Sequence, residues 1–346
     1  MPKGIIYAVL VIALILAGAF SVGLGAVSIP VPEVFALLLH KAGIRNIANV
    51  NEQHQVIIFI VRMPRLLLAI LVGAALGISG ASIQGIFRNP LAEPGLVGIS
   101  AGASLMAVAV IGLETTFLAG LSNVLGYYLL AFAAFAGAGI TAFIIYQLSR
   151  HDGKPNVATM LLAGIAINAL AGALTGLITY LSSEQQLRNI TFWMLGSLGG
   201  ATWQTVTTLT PFVMIPVLLL PRSGKALNAF SLGEIQADYL GLNVNRIKRN
   251  VILLSTMAIG SAVSLTGIIN FVGLLVPHIV RMVIGVDNKH VLPASALTGA
   301  LMMVVADIIS RTIIAPIELP IGVITALIGA PVFLYILVRD KRKLSI

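Results

Sequence analysis

From Gly4 to Val31 the chain carries no charged side chain. At 1.5 Å rise per residue, a helix over that stretch is long enough to cross the roughly 30 Å hydrocarbon core of a bilayer. Further apolar runs follow at about 66–84, 95–112, 121–148, 157–181, 203–220, 250–269, 271–285, 291–309 and 321–338, ten in all. Charged residues make up 10% of the 346 and apolar residues 58%, whereas a soluble domain carries about 25% charged residues. Disorder and a soluble globular enzyme are both excluded on that ground. The pattern predicts an all-α membrane protein, a polytopic bundle of about ten transmembrane helices. Several runs meet with only Gly or Pro between them, so nine or eleven spans and re-entrant pieces are compatible with the same pattern. Ala17-Gly18-Ala19 resembles a signal-peptide cleavage site, but the charge-free run far exceeds the 7–15 residues of a signal core. Residues of roughly 5–25 are therefore read as a retained first helix.

Thirty-four glycines punctuate the runs, many in small-xxx-small spacing: Gly73/Gly77, Gly98/Gly102, Gly172/Gly176 and Gly196/Gly200. Helices in lipid gain no hydrophobic energy by associating, so close backbone approach through small residues supplies the packing. With the amino terminus placed in the cytoplasm and the spans alternating, 15 of the 21 Lys and Arg fall on the inside. That asymmetry predicts both termini cytoplasmic and an even number of spans. It also accounts for the net charge of +9 without nucleic acid. The absence of Cys removes disulfides, Cys-ligated zinc and iron–sulfur clusters.

Two polar stretches are long: about 30–62 on the outside and about 221–249 on the inside. In the second, Ser231 and Glu234 have capping-box spacing. Leu232, Ile235, Tyr239 and Leu240 then recur at helical intervals up to Gly241. A short amphipathic helix with this pattern either lies on lipid or docks into a groove of a cytoplasmic partner.

The sequence offers little chemistry. Ser223-Gly224-Lys225 is followed by Ala226 where a phosphate-binding loop needs Ser or Thr, and Leu219 stands where its first Gly belongs. Any ATP hydrolysis must therefore reside on another chain. Gly98-Ile99-Ser100-Ala101-Gly102 matches a nucleophile elbow, with His278 as a conceivable base, but it lies in a helical stretch rather than a strand–turn–helix. Asp307 is the one acid within a span, four residues before Arg311, which predicts an i,i+4 pair rather than an ion-coupling site. Glu93 and Glu318, beside prolines, read as cap or loop residues. The five histidines, His40, His54 and His278 among them, have no metal-ligand spacing. Arg62-Met63-Pro64-Arg65 opens the second span on the face that should lack positive charge. Those arginines serve either as snorkelling anchors or as an interaction site.

These segments resemble a known family. Residues 62–103 (RMPRLLLAILVGAALGISGASIQGIFRNPLAEPGLVGISAGA), 192–200 (FWMLGSLGG), 227–244 (LNAFSLGEIQADYLGLNV), 271–281 (FVGLLVPHIVR) and 318–333 (ELPIGVITALIGAPVF) are similar, in order, to the FecCD-type permeases of type II ABC importers. That family takes up iron-siderophores, haem and cobalamin. The resemblance implies a single transmembrane permease domain over 1–346 with ten helices and no catalytic role of its own. It also implies a second permease copy as a homodimer, two cytoplasmic ABC ATPases that bind ATP-Mg, and a substrate-binding protein outside the inner (plasma) membrane of a bacterial cell. No cofactor or metal is expected in the chain itself.

By the same resemblance, Arg62, Arg65 and Arg311 meet carboxylates of the binding protein. Ser231, Leu232, Gly233, Glu234, Ala237, Leu240 and Gly241 belong to the element that grips the ATPase. Asn89 and Leu91 correspond to a cytoplasmic gate. A second gate element falls near Val157 and Ala158, where the nearest hydroxyl is Thr159. The path is expected along Asn168, Gly172 and Thr175, beside Ala171, and around 188–200. Haem or a ferric siderophore is the expected cargo, with cobalamin as the alternative and an ion-coupled secondary carrier behind it.

Overall fold

The computed structural model describes residues 3–344 apart from 26, 28, 42, 44–50, 114–126 and 152–153. Arg45, placed outside by the charge pattern, lies beyond the described residues. Helices dominate. They are α1 (Lys3–Gly23), α2 (Val31–Lys41), α3 (Glu52–Phe87), α4 (Ile99–Leu113), α5 (Tyr127–Leu148), α6 (Val157–Leu181) and α7 (Glu184–Leu195) in the first part of the chain. There follow α8 (Trp203–Leu219), α9 (Gly224–Phe230), α10 (Glu234–Tyr239), α11 (Val244–Thr266), α12 (Val272–Ile284), α13 (Asn288–Thr312) and α14 (Ile321–Leu344). A two-residue antiparallel ladder, β1 (Arg150–His151) with β2 (Lys154–Pro155), joins α5 to α6.

Among the described residues seven helices are long and apolar enough to cross a membrane, and three shorter apolar helices, α4, α12 and the Ile321–Ile336 part of α14, bring the set to ten. Each predicted apolar run has its helix. Asn156 caps α6, Thr202 caps α8, Asn243 caps α11 and Asp287 caps α13, each through its side chain. Such caps satisfy amide donors left free at a helix start.

Helix α3 is the central post, packed by α8, α11, α12 and α13. Its crossing with α13 is made of backbone. A methyl placed on Gly73 would stand 2.2 Å from the Gly299 carbonyl oxygen, and one on Gly77 would stand 2.1 Å from that of Ser295. Gly102 of α4 meets the Gly137 carbonyl of α5 in the same way, at 2.3 Å. A methyl on Gly196 would likewise stand 2.5 Å from the Ile268 carbonyl oxygen, so three of the four small-residue pairs are contacts within the chain. The fourth is not, because nothing lies within 4 Å of a methyl placed on Gly172 or Gly176. Only 17% of the spanning window of α6 is buried, against 67% for α11.

Helix α12 begins beside the C-terminal part of α3, where a methyl on Gly80 would overlap the Gly273 carbonyl. The non-helical junctions after α7 and α11 and before α14 meet one another: Ser197 N–H donates to the Thr266 carbonyl (2.7 Å) and Ile321 N–H to that of Gly196 (3.1 Å). Irregular backbone among membrane-spanning helices is tolerable where protein partners satisfy it.

The polar residues collect at two ends. Arg65 and Gln84 lie 19 residues apart on α3, about 28 Å along the helix. Arg65 reaches Asp307 and Glu318, while Gln84 meets Arg281 at the other end. Lys3, Asn228, Glu234, Lys248, Asp287 and Lys289 share the Gln84 end through Lys3–Asp287, Asn228–Asp287, Lys248–Glu234 and the packing of Gly224 on Lys289. The Asn228 amide and the Lys289 N–H hold the Asp287 carboxyl below the usual range, so its stabilising effect is present at neutral pH and lost only as pH falls through that lowered value.

Candidate functional site

At the Arg62 end, the three arginines singled out in the sequence converge with two carboxylates. Arg62 and Arg65 are three apart, hence on one helix face. A π-helical segment, Ile57–Arg62, leads into Pro64. Arg65 Nε donates to Asp307 Oδ1 (2.8 Å) and its Nη1 to both oxygens of Glu318 (2.8 Å each). Arg311 Nε donates to Asp307 Oδ2 (2.9 Å), and its other nitrogens reach the carbonyls of Ser21 and Leu24 (3.0 Å each). Arg62 donates to the carbonyls of Val22 (2.6 Å), Gly23 (2.9 Å) and Val27. All three arginines are at most 8% exposed and Asp307 is 1% exposed. The predicted Asp307–Arg311 pair is present, but Asp307 serves two arginines and ties α3 to α13. Glu318, read from the sequence as a cap or loop residue, is the second carboxylate of Arg65. Its side chain remains 46% exposed, so it is the replaceable partner. Three cations against two carboxylates leave this cluster with one net positive charge.

At the opposite end, the 221–249 stretch is a chain of short pieces: a 3-10 turn over Leu220–Ser223, then α9, then α10. The predicted capping box is absent. Ser231 Oγ donates to the Asn228 carbonyl (2.6 Å), closing α9, and Glu234 accepts from Lys248 Nζ (2.6 Å). Gly233, at φ 124°, starts α10 without a side-chain cap, and Gly241, at φ 80°, ends the turn that follows it. Both are backbone geometries that favour glycine. Ala237 is fully buried and anchors α10 on the bundle, whereas Leu232 (67%), Ile235 (67%), Tyr239 (86%) and Leu240 (64%) are exposed. They form an apolar patch at the charged end of the molecule. Behind α10, Lys248 is 1% exposed, pairs with the partly exposed Glu234 and also donates to the Pro155 carbonyl (3.0 Å). Sequence reading passed over Lys248 because it is one cation in a basic stretch.

The gate and path residues separate. Asn89 and Leu91 form a turn just past α3, with Leu91 N–H donating to Asn89 Oδ1 (2.9 Å), and both are exposed. Val157, Ala158 and Thr159 form the first turn of α6, and Ala158 and Thr159 are exposed. Along α6 only Gly172 of the three predicted path residues opens onto free space. Asn168 Nδ2 donates to the Gly95 carbonyl (3.0 Å), so this side chain braces α6 against the Pro94–Val97 turn, and Thr175 is buried at 8% exposure.

The enzyme-like alternatives lack a scaffold. Ser100 stands in the first turn of α4 after a 3-10 turn, with Gly98 and Gly102 packed on α5, so there is no strand and no elbow. His54 Nδ1 lies 2.6 Å from Glu33 Oε1. No group of His, Asp and Glu able to hold a metal occurs among the described residues.

Residues 12–339 match the FecCD transport family. The chain is 45% identical to the hemin transport system permease protein HmuU of Yersinia pestis over 82% of its own length and 84% of that protein. It is 42% identical to the cobalamin import system permease protein BtuC of Halobacterium salinarum (85% and 76%), and 38% identical to the Fe(3+)-citrate import system permease protein YfmE of Bacillus subtilis (97% and 95%). A solved metal-chelate type ABC transporter in an inward-facing conformation superposes with a TM-score of 0.84 at 29% identity, covering 98% of this chain and 100% of that one.

Proposed function

The chain belongs to the FecCD transport family and is a multi-pass permease of ABC importers, not itself catalytic; from that premise we propose that it carries an iron chelate, haem or a ferric siderophore, from periplasm to cytoplasm through a bacterial inner membrane. The similarity to a hemin permease supports haem first. Similarity to cobalamin permeases keeps cobalamin as the competing cargo. The two polar ends then take sides. The basic asymmetry assigns the Lys248 end to the cytoplasm and the Arg62 end to the outside.

The observation that carries the mechanism is the exposed patch Leu232, Ile235, Tyr239 and Leu240 on an element anchored by the buried Ala237. Apolar and aromatic side chains left exposed among the described residues suit a groove on a partner. That partner is the ATPase, which binds ATP-Mg and performs the hydrolysis. The open face of α6, with Gly172 and Gly176 facing free space, suits a second copy of the chain around a central path. The path wall there is apolar, which favours release of a bulky cargo.

The test is reconstitution of the permease with its ATPase and binding protein in liposomes. Haem uptake should require ATP and survive collapse of the proton gradient. Cobalamin uptake without haem uptake would reassign the cargo, and uptake abolished by an uncoupler would overturn the importer reading. In the same system Ile235→Asp should weaken ATPase association on the order of tenfold or more, the scale of a central apolar anchor. Equal co-purification of the ATPase would remove the docking role of α10.

Docking of the binding protein is assigned to the Arg62, Arg65 and Arg311 cluster, whose residual positive charge attracts carboxylates. A partner carboxylate would take the place of Glu318 on Arg65. Glu318→Gln should therefore tighten binding-protein docking a few-fold, measured by titration onto the permease in nanodiscs; weaker docking would contradict the exchange.

A further inference from the structure

We propose that Lys248 is a positioning residue that links the ATPase-docking element to the inner end of α6, so that a displacement of α10 moves the mouth of the path. The inference rests on the docking role of α10 and adds the part that transmits its motion.

Three segments meet on one ammonium group. Lys248 sits in the second turn of α11 and is 1% exposed. Its Nζ donates to Glu234 Oε2 at the start of α10 (2.6 Å) and to the carbonyl of Pro155 (3.0 Å). Pro155 is the residue before Asn156, whose Oδ1 accepts from the N–H groups of Ala158 (2.9 Å) and Thr159 (3.2 Å) to begin α6. The same strand is held from behind: Asn156 N–H donates to the Ser149 carbonyl (2.9 Å), and Arg150 pairs with Pro155 across the ladder. Pro155 is therefore tied to the first turn of α6 through Asn156.

Around this junction the elements stand apart. A cleft lined by Arg88, Asn156, Val157, Leu161, Gly233 and Gln236 separates α10 from α6. A second cleft, lined by Lys154, Asp238, Tyr239 and Asn243, flanks the other side. Elements separated by clefts can shift as rigid pieces, and the ammonium crosses the gap. A buried lysine is tolerated only when paired and hydrogen-bonded. An aliphatic side chain of similar length would fill the same volume, yet it could not hold two separate acceptors at fixed distance. Lysine at this position supplies connectivity rather than packing.

The experiment uses the full permease assembled with its ATPase in nanodiscs. The chain contains no cysteine, so Ala158→Cys provides a unique label on the exposed first turn of α6. Labelling by a membrane-impermeant maleimide is followed with and without ATP plus vanadate. With Lys248 intact, nucleotide should change the labelling rate on the order of tenfold. Lys248→Met should abolish the nucleotide response while the ATPase stays bound and continues to hydrolyse ATP, and Lys248→Arg should restore part of it. A nucleotide response that persists in Lys248→Met overturns the link. So does loss of the ATPase from Lys248→Met, because the lysine would then only hold the docking element in shape. Failure of the unaltered permease to retain its ATPase overturns the docking role of α10 itself, a result distinct from either.

Discussion

Asp307→Asn should destabilise the protein by about 3–5 kcal/mol, the cost of breaking a buried ion pair by removing one partner. Asp307 is 1% exposed and its two oxygens are divided between Arg65 Nε (2.8 Å) and Arg311 Nε (2.9 Å). An amide keeps the shape but removes the charge, and its NH2 group faces a guanidinium donor on one side. Arg65 retains Glu318, whereas Arg311 retains only the carbonyls of Ser21 and Leu24 and the Ser21 hydroxyl. Arg62, held by backbone carbonyls among the described residues, adds a third cation close by. The measurement is thermal unfolding of the purified permease in detergent, where a substantially lower midpoint is expected. Replacing the pair together, Asp307→Leu with Arg311→Met, should recover a large part of the loss, since matched apolar groups have no uncompensated charge. A midpoint for Asp307→Asn equal to that of the unaltered chain would show that the cluster does not hold α3 to α13.

The second large effect is expected at the α3–α13 crossing. Gly77→Ala places a methyl 2.1 Å from the Ser295 carbonyl oxygen and 2.9 Å from its carbon. The obstacle is backbone of a packed helix, so no side-chain rotation relieves it and the helices must separate. Overpacking of this kind costs about 1–3 kcal/mol and sometimes more, and the neighbouring Gly73–Gly299 contact would be strained by the same displacement. Gly172→Ala is the control. It meets nothing within 4 Å, and on helix propensity alone it should gain up to about 1 kcal/mol. The permease should thus be markedly less thermostable with Gly77→Ala and no less so with Gly172→Ala. Equal loss in both would mean that the glycines act through an interface between copies rather than through packing within the chain.

Small-xxx-small spacing is a local signal, and it announced helix packing without saying against what. Gly73 and Gly77 found α13, Gly102 found α5, and Gly172 and Gly176 found nothing within the chain. Asn168 shows the same limit. The resemblance places it along the path, and the structure adds a bond from its amide nitrogen to the Gly95 carbonyl, 73 residues away. Ser231 and Glu234 had the spacing of a capping box, but Lys248, fourteen residues beyond Glu234, competes for the carboxylate, and an ion pair with a buried ammonium outweighs a neutral backbone amide.

The order of the ten apolar helices and the polar stretch carrying the exposed apolar patch were determined by the sequence alone. Each depends on residues within a few turns of one another, and in a bilayer an apolar run must satisfy its own backbone and hence form a helix. Only the tertiary structure decided what the charges do. Arg65 finds Asp307 across 242 residues and Glu318 across 253, and Lys248 joins Glu234 to Pro155 93 residues away. Once the helices are placed, a charged group removed from water must be paired, and the available partner is whichever acceptor the packing brings within reach, a relation between distant segments that no local spacing encodes.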